Sequence, residues 1–153
     1  MTDIQIIEIS SDEDMEAAFH IRRVVFCDEQ KVYLAEEFDG LDGECRQYLA
    51  RREGRIVGTA RLRKDSAEKI KIERVAVLKE ERGNGVGQEL MIRAIKDAGL
   101  DGTRTTAIHA QCHAQTFYEA IGFIQIGEEF EEAGIPHIYM EYQPSPCAPE
   151  NAP

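Results

Sequence analysis

The chain has 153 residues, enough for one domain with its own hydrophobic core and too few for two of ordinary size. Hydrophobic residues make up 42% and charged residues 31%, the balance of a globular protein rather than a disordered or membrane-embedded one. A net charge of −11 argues against a nucleic-acid partner, whose footprint is a basic patch, and is compatible with cationic substrates such as amines.

Ile4, Ile6, Ile7 and Ile9 predict a first strand. Ser10-Ser11-Asp12-Glu13 is a capping signal, and a helix is expected from about Asp12 to Phe26, with Met15, Phe19, Arg22 and Phe26 near one face. Cys27 to Asp42 is acidic and less periodic, either a second short helix or a loop. Gln47 to Arg52 and Ile56 to Arg63 read as strands joined by a Glu53-Gly54 hairpin turn. Ile70 to Leu78 is expected to be the longest strand. Gln88 to Ala98 is amphipathic through Leu90, Met91, Ala94 and Ile95, with Gly99 as its stop. Thr105 to Gln111 is a strand, His113 to Ile121 a helix ended by Gly122, and Phe123 to Ile126 and His137 to Tyr142 the last strands. The acidic run Glu128 to Glu132 is expected to be a solvated face. Strands and helices alternate while hairpins also occur, so the fold class is α/β (α+β), a mixed sheet with helices on its faces. The domain should span residues 1–143, and the Pro-rich residues 144–153 a flexible tail.

Arg82-Gly83-Asn84-Gly85-Val86-Gly87 lies between a strand and a helix, an arrangement that suits a phosphate or pyrophosphate. Glycines permit a tight turn and close backbone approach, the helix N-terminus supplies N–H groups, and Arg82 adds a fixed donor fork. A Walker loop is excluded, because no Gly-Lys-Ser/Thr follows. A dinucleotide fingerprint fails too, since counting from Gly83 or Gly85 puts Gln88 or Leu90 where the last glycine belongs. Arg-x-x-Gly-x-Gly on Arg82, Gly85 and Gly87 resembles the coenzyme A pyrophosphate loop of the GNAT superfamily of N-acetyltransferases. Gln111-x-x-Ala114-x-x-Phe117-Tyr118, then Gly122-Phe123, resembles that superfamily's second motif, Asn-x-x-Ala-x-x-Phe/Leu-Tyr-x-x-x-Gly-Phe, with Gln111 where many members carry asparagine. Val25-Phe26-x-x-Glu29-Gln30, the acidic Glu36 to Asp42 and Ala133-Gly134-Ile135-Pro136-His137 resemble a bacterial subgroup of small GNAT proteins.

The resemblance implies a site. Arg82, Gly83, Asn84, Gly85, Val86 and Gly87 would hold the pyrophosphate of acetyl-CoA. Val75, Ala76 and Val77 would carry the pantetheine along a strand from which the sheet splays, with Gln111 nearby. Tyr118 would be the general acid for the leaving thiolate, its alternative being a ring packed in the core. Glu73 would take the amine's proton; strand alternation puts 73, 75 and 77 on one face. The other reading of Glu73 is an ion-pair partner of a neighbouring arginine such as Arg61 or Arg63. Glu29, Tyr33 and His137 are candidates for the substrate pocket. His109 reads as a residue that faces the core, and His113 as one that begins a helix.

The implied activity is acetyl transfer from acetyl-CoA to a small primary amine, directly in a ternary complex. The alternatives are acetylation of a protein lysine or N-terminus and a non-catalytic acyl-CoA sensor on the same fold. Cys27, Cys45, Cys112 and Cys147 form no Cys-x-x-Cys pair and read as free thiols in a reducing cytoplasm. Cys112-His113 lacks the rest of a ligand set, so no metal is expected. Without a run of about 20 apolar residues or a basic N-terminal region, neither a membrane span nor a secretory leader is expected. The sequence leaves room for a homodimer.

Overall fold

The structure is a computed structural model, and it describes residues 3–102 and 105–143. Residues 144–153, the expected tail, and Cys147 lie outside the described residues. The strands are β1 (Ile4–Glu8), β2 (Arg46–Arg52), β3 (Arg55–Lys64), β4 (Lys69–Val77), β5 (Thr105–Gln111), β6 (Phe123–Gln125), β7 (Phe130–Glu132) and β8 (Ile135–Tyr142). The helices are α1 (Asp12–Arg22), α2 (Leu34–Glu37), α3 (Val86–Leu100) and α4 (Gln115–Ile121). One sheet runs β1-β2-β3-β4-β5-β8-β6, with β7 also on β8, and every described pairing is antiparallel except β4 with β5.

Local chemistry accounts for the element ends. The Ser11 side chain accepts from the Asp14 N–H at 3.1 Å, and the Asp14 carboxylate accepts from the Ser10 N–H at 3.3 Å, so α1 starts where the capping signal stands. Regular α-helix ends at Arg22 rather than Phe26, and a π-helical turn, Arg23–Glu29, carries the chain onward. β3, with 10 residues, is longer than β4 with 9, because it pairs with β2 from Arg55 to Leu62 and with β4 from Gly58 to Lys64. α3 runs through Gly99 to Leu100; the left-handed turn is made by Gly102 at φ 86°.

The two sheet faces are covered unequally. Leu90, Met91, Ala94 and Ala98 of α3 pack on Tyr48, Val57, Leu62, Ile72 and Ile108 in the main core. On the other face Ile21, Val25 and Phe26 cover Ala76 in a smaller cluster. β4 links the two faces through a bulge. Thr59 pairs with Ala76 but Arg61 pairs with Glu73, so β4 holds one extra residue, and Arg74 there has φ 55°. Side-chain alternation therefore reverses at Arg74. Ile72, Val75 and Val77 all reach the α3 core, whereas Ala76 faces α1. This corrects the expected placement of Glu73, which does not share a face with Val75 and Val77.

The bulge also marks where the sheet opens. Among the described residues, β4 and β5 pair only at Lys69–Thr105, Ile70–Thr106 and Lys71–Ala107. Beyond that point β5 continues along β8 to Gln111, while β4 continues along β3. The expected splay is therefore present, with a cleft between the diverging strands.

Candidate active site

The glycine loop closes one end of this cleft. Gly83 at φ 84° and Gly85 at φ 90° are left-handed, which side chains other than glycine's rarely tolerate. They turn the chain so that α3, a 15-residue helix with no side-chain cap, starts at the cleft. Gly87 lies in the first turn, where an added Cβ would come within 3.3 Å of the Phe117 ring. Gly58 lets β3 approach the same turn, since a Cβ there would meet Val86, Leu90 and the Ala76 carbonyl at 3.1 Å. Arg82 donates from Nε to the Val77 carbonyl at 2.9 Å and binds both Glu29 carboxylate oxygens, at 2.7 and 2.8 Å.

The cleft has a volume of about 1120 Å³ and runs from this loop past Val75 to Val77 and Tyr118 to His109 and His137. Tyr118, on α4, packs its ring against Phe117 and Phe123 with centroids 4.9 and 6.1 Å away. Burial pushes its hydroxyl up to about 12, because phenolate is poorly solvated there. The group is thus a protonated donor throughout the physiological range.

Glu73 lines the cleft inside a dense ionic network. It binds the Arg61 guanidinium, accepts from Arg63 Nε at 2.9 Å and has Lys71 Nζ 3.8 Å away. Arg61, 1% exposed, also binds Asp39 at 2.9 Å and Asp42 at 3.0 Å. Arg22, fully buried between the Phe19 and Phe38 rings, takes Asp42 at 2.6 Å and Glu37 at 2.7 Å. Arg74 reaches Glu37 and Asp39, each at 3.2 Å. Burial would raise the Glu73 carboxyl, but Arg63 and Arg61 outweigh it and hold the group below its ordinary range. At Glu37 burial outweighs Arg74 and Arg22, and the carboxyl is raised. Within the acidic stretch, Glu37, Asp39 and Asp42 therefore neutralise the arginines of α1, β3 and β4.

A GNAT acetyltransferase domain model matches residues 11–144. This chain belongs to the GNAT acetyltransferase family. The GNAT chain is 38% identical over 133 residues to the uncharacterised N-acetyltransferase YjcF of Bacillus subtilis, covering 85% of this chain and 93% of that one. The crystal structure of Escherichia coli ElaA superposes with a TM-score of 0.81 at 32% identity, covering 92% and 99% of the two chains. A GNAT acetyltransferase from Elizabethkingia anophelis, solved with acetyl-CoA bound, shares the fold at a TM-score of 0.74 and 16% identity over 94% and 99% of the two chains.

Most expected site residues of this GNAT protein meet at the cleft: Glu73, Val75, Ala76 and Val77 from β4, Arg82, Gly83, Gly85, Val86 and Gly87 from the loop, and Gln111, Tyr118, Glu29 and His137. Two do not. Tyr33 is 77% exposed at the start of α2, because its apolar neighbour Val32 turns inward instead. Asn84 points its amide to the Glu81 carbonyl at 3.2 Å, outside the cleft lining. Gln111 exchanges amide hydrogen bonds with Gln30, at 2.9 and 3.2 Å, and its Oε1 lies 2.6 Å from His113 Nε2. The longer side chain thus bridges to the end of the π-helical turn. His137 is 6% exposed, with Nδ1 held by the Ile135 carbonyl at 2.7 Å.

His109 departs from expectation, because it lines the cleft rather than the core. Glu128, Glu129 and Glu131 are exposed as expected, and Glu132, with its side chain 44% exposed, also lies 2.8 Å from His109. The signal was the period of two along β5, where Ile108 and Ala110 enter the core and His109 and Gln111 take the other side. Among the described residues, no His, Cys, Asp or Glu cluster is placed to hold a metal ion, and no helix is long and apolar enough to cross a membrane.

Proposed function

We propose that this GNAT protein transfers an acetyl group from acetyl-CoA to the nitrogen of a primary amine, directly in a ternary complex. The observation that carries the reading is the opening of β4 from β5 beyond Lys71, which connects the glycine loop to Tyr118. The residues present suit acetyl-CoA. Gly85 and Gly87 leave the helix start open to a pyrophosphate, Arg82 can release Glu29 to take it, and Val75 to Val77 present a strand edge for the pantetheine. The ligand reported for the Elizabethkingia anophelis relative agrees with this assignment.

When bound, acetyl-CoA supplies an activated thioester. Tyr118 Oη gives its proton to the departing sulfur, which spares the reaction a free thiolate. The net charge of −11 favours the approach of a cationic amine over an anionic acceptor. An alkylammonium, with a pKa near ~10 by analogy with lysine, must lose a proton before it attacks. Glu73 is a weak candidate for that proton, because two guanidinium groups and an ammonium stabilise its charged form. A primary-amine screen with CoA release as the signal, run beside an acetyl-CoA titration, tests the reading. Acetylation of at least one amine is expected; acetyl-CoA binding with no turnover on any amine or peptide would favour a sensor.

Two variants probe the parts. In Gly85→Val the backbone at φ 90° becomes strained and a side chain enters the pyrophosphate path. Calorimetry should show acetyl-CoA bound at least tenfold more weakly, about 1.4 kcal/mol, and undiminished affinity in a folded variant would remove the loop from the site. Glu73→Gln should melt at lower temperature, while its remaining activity follows the parent's pH profile. A profile that loses its acid limb would restore Glu73 as the base.

A further inference from the structure

The acceptor side of the cleft holds a carboxylate–imidazole pair that suits the proton transfer better than Glu73. His109 Nδ1 lies 2.8 Å from Glu132 Oε1. β7 brings Glu132 there: Ala133 at φ 53° and Gly134 at φ 75° fold it back on β8, with Phe130 opposite His137 and Glu132 opposite Ile135. The His109 ring is fixed edge-on by Phe130, 5.1 Å away, and Tyr139, 5.8 Å away. Among the described residues no partner takes His109 Nε2, and both residues of the pair line the cleft. The other ionisable groups around the pair are Lys71 on β4, His137 on β8, and Tyr139, whose hydroxyl donates to Glu141 at 2.7 Å. The hydrogen bond with His109 outweighs burial and holds the Glu132 carboxyl below its ordinary range. An ionised Glu132 accepts from Nδ1–H, which leaves the lone pair on Nε2.

We propose that His109, oriented by Glu132, accepts the proton of the acceptor ammonium, directly or through one water. This rests on the N-acetyl transfer reading above. The ammonium proton goes to Nε2. The amine nitrogen bonds to the acyl carbon as the carbon–sulfur bond breaks, and the sulfur takes the Tyr118 proton. The second proton of that nitrogen reaches the Tyr118 oxygen through solvent and the imidazolium proton is released to solvent, so both groups end as they began and each turnover yields one free proton. His109 is the catalytic residue here and Glu132 its positioning residue.

The test uses the full-length chain saturated with CoA and labelled with 15N in its histidines, and separately measures CoA release with spermidine and phenethylamine. In the NMR spectrum the neutral His109 ring should carry its proton on Nδ1; His109→Gln assigns the signal. Glu132→Gln should weaken that tautomer preference, so that Nε2–H signal appears beside Nδ1–H, and should lower turnover, because a neutral amide is a weaker acceptor for Nδ1–H. His109→Gln should lower turnover at pH 7 about 10²-fold, leave acetyl-CoA affinity unchanged and recover part of the rate near pH 9.5. A proton on Nε2, or a His109→Gln variant with the parent's rate and profile, would overturn the proposal. If neither amine is acetylated, the transfer reading is what fails for these acceptors, and the ring tautomer still decides the assignment of His109.

Discussion

Tyr118→Phe should lower turnover by roughly 10²- to 10⁴-fold while acetyl-CoA affinity changes little. At about 1.4 kcal/mol per factor of ten, that is roughly 3–5 kcal/mol of transition-state stabilisation lost. The substitution keeps the ring that packs on Phe117 and Phe123, so melting temperature should barely move. An interaction made only as the sulfur departs changes turnover, not ground-state binding. Because burial pushes the hydroxyl up to about 12, the parent's rate should not fall on the alkaline side until well above pH 9. Stopped-flow measurement of the chemical step decides the matter. An unchanged step would return Tyr118 to a purely packing role.

Arg61→Met should produce the largest loss of stability. Arg61 is shared by Asp39, Asp42 and Glu73, and its removal leaves three carboxylates with weakened compensation in a largely buried setting. Breaking one partner of a buried ionic group costs about 3–5 kcal/mol. For a chain of this size that lowers the melting temperature on the order of 10 °C. The pH dependence identifies the cause. Hydrogen bonds from Arg61 and Arg22 hold Asp39 and Asp42 below the ordinary carboxylate range despite burial, and Glu73 is lowered likewise. The parent therefore has this stabilisation in full above about pH 4 and loses it as pH falls through the depressed folded values. In the variant the same carboxyls can protonate at little cost. The gap between parent and variant should be widest near pH 7 and narrow towards pH 4. A gap independent of pH would mean that lost packing by the long side chain, not charge, is responsible.

How far the site could be read from sequence depended on which interactions were local. The capping of α1 by Ser11 and Asp14, the Glu53-Gly54 turn and the loop from Arg82 to Gly87 are set by neighbours along the chain, and each stands where the residues indicated. The Arg74 bulge is different. No residue in Glu73-Arg74-Val75 announces an extra position, and a single insertion reverses which face every later side chain meets. That is why Glu73 could be placed with Val75 on paper and lies apart from it in the fold. β7 was hidden for a related reason: three residues, two of them glutamates, carry no hydrophobic alternation, and the strand exists because β8 offers an edge. The ionic network joins α1, the acidic stretch, β3 and β4 across as many as 37 positions, so the carboxylates could be counted in the sequence but not assigned to their arginines.

The most direct measurement of the central claim is a crystal structure of the protein with acetyl-CoA. The pyrophosphate should lie on the backbone N–H groups at the start of α3, with Arg82 turned from Glu29 towards it. The pantetheine should pass between β4 and β5, with the thioester sulfur within hydrogen-bond reach of Tyr118 Oη. Acetyl-CoA bound away from the opening between β4 and β5, or a sulfur far from Tyr118, would contradict the account.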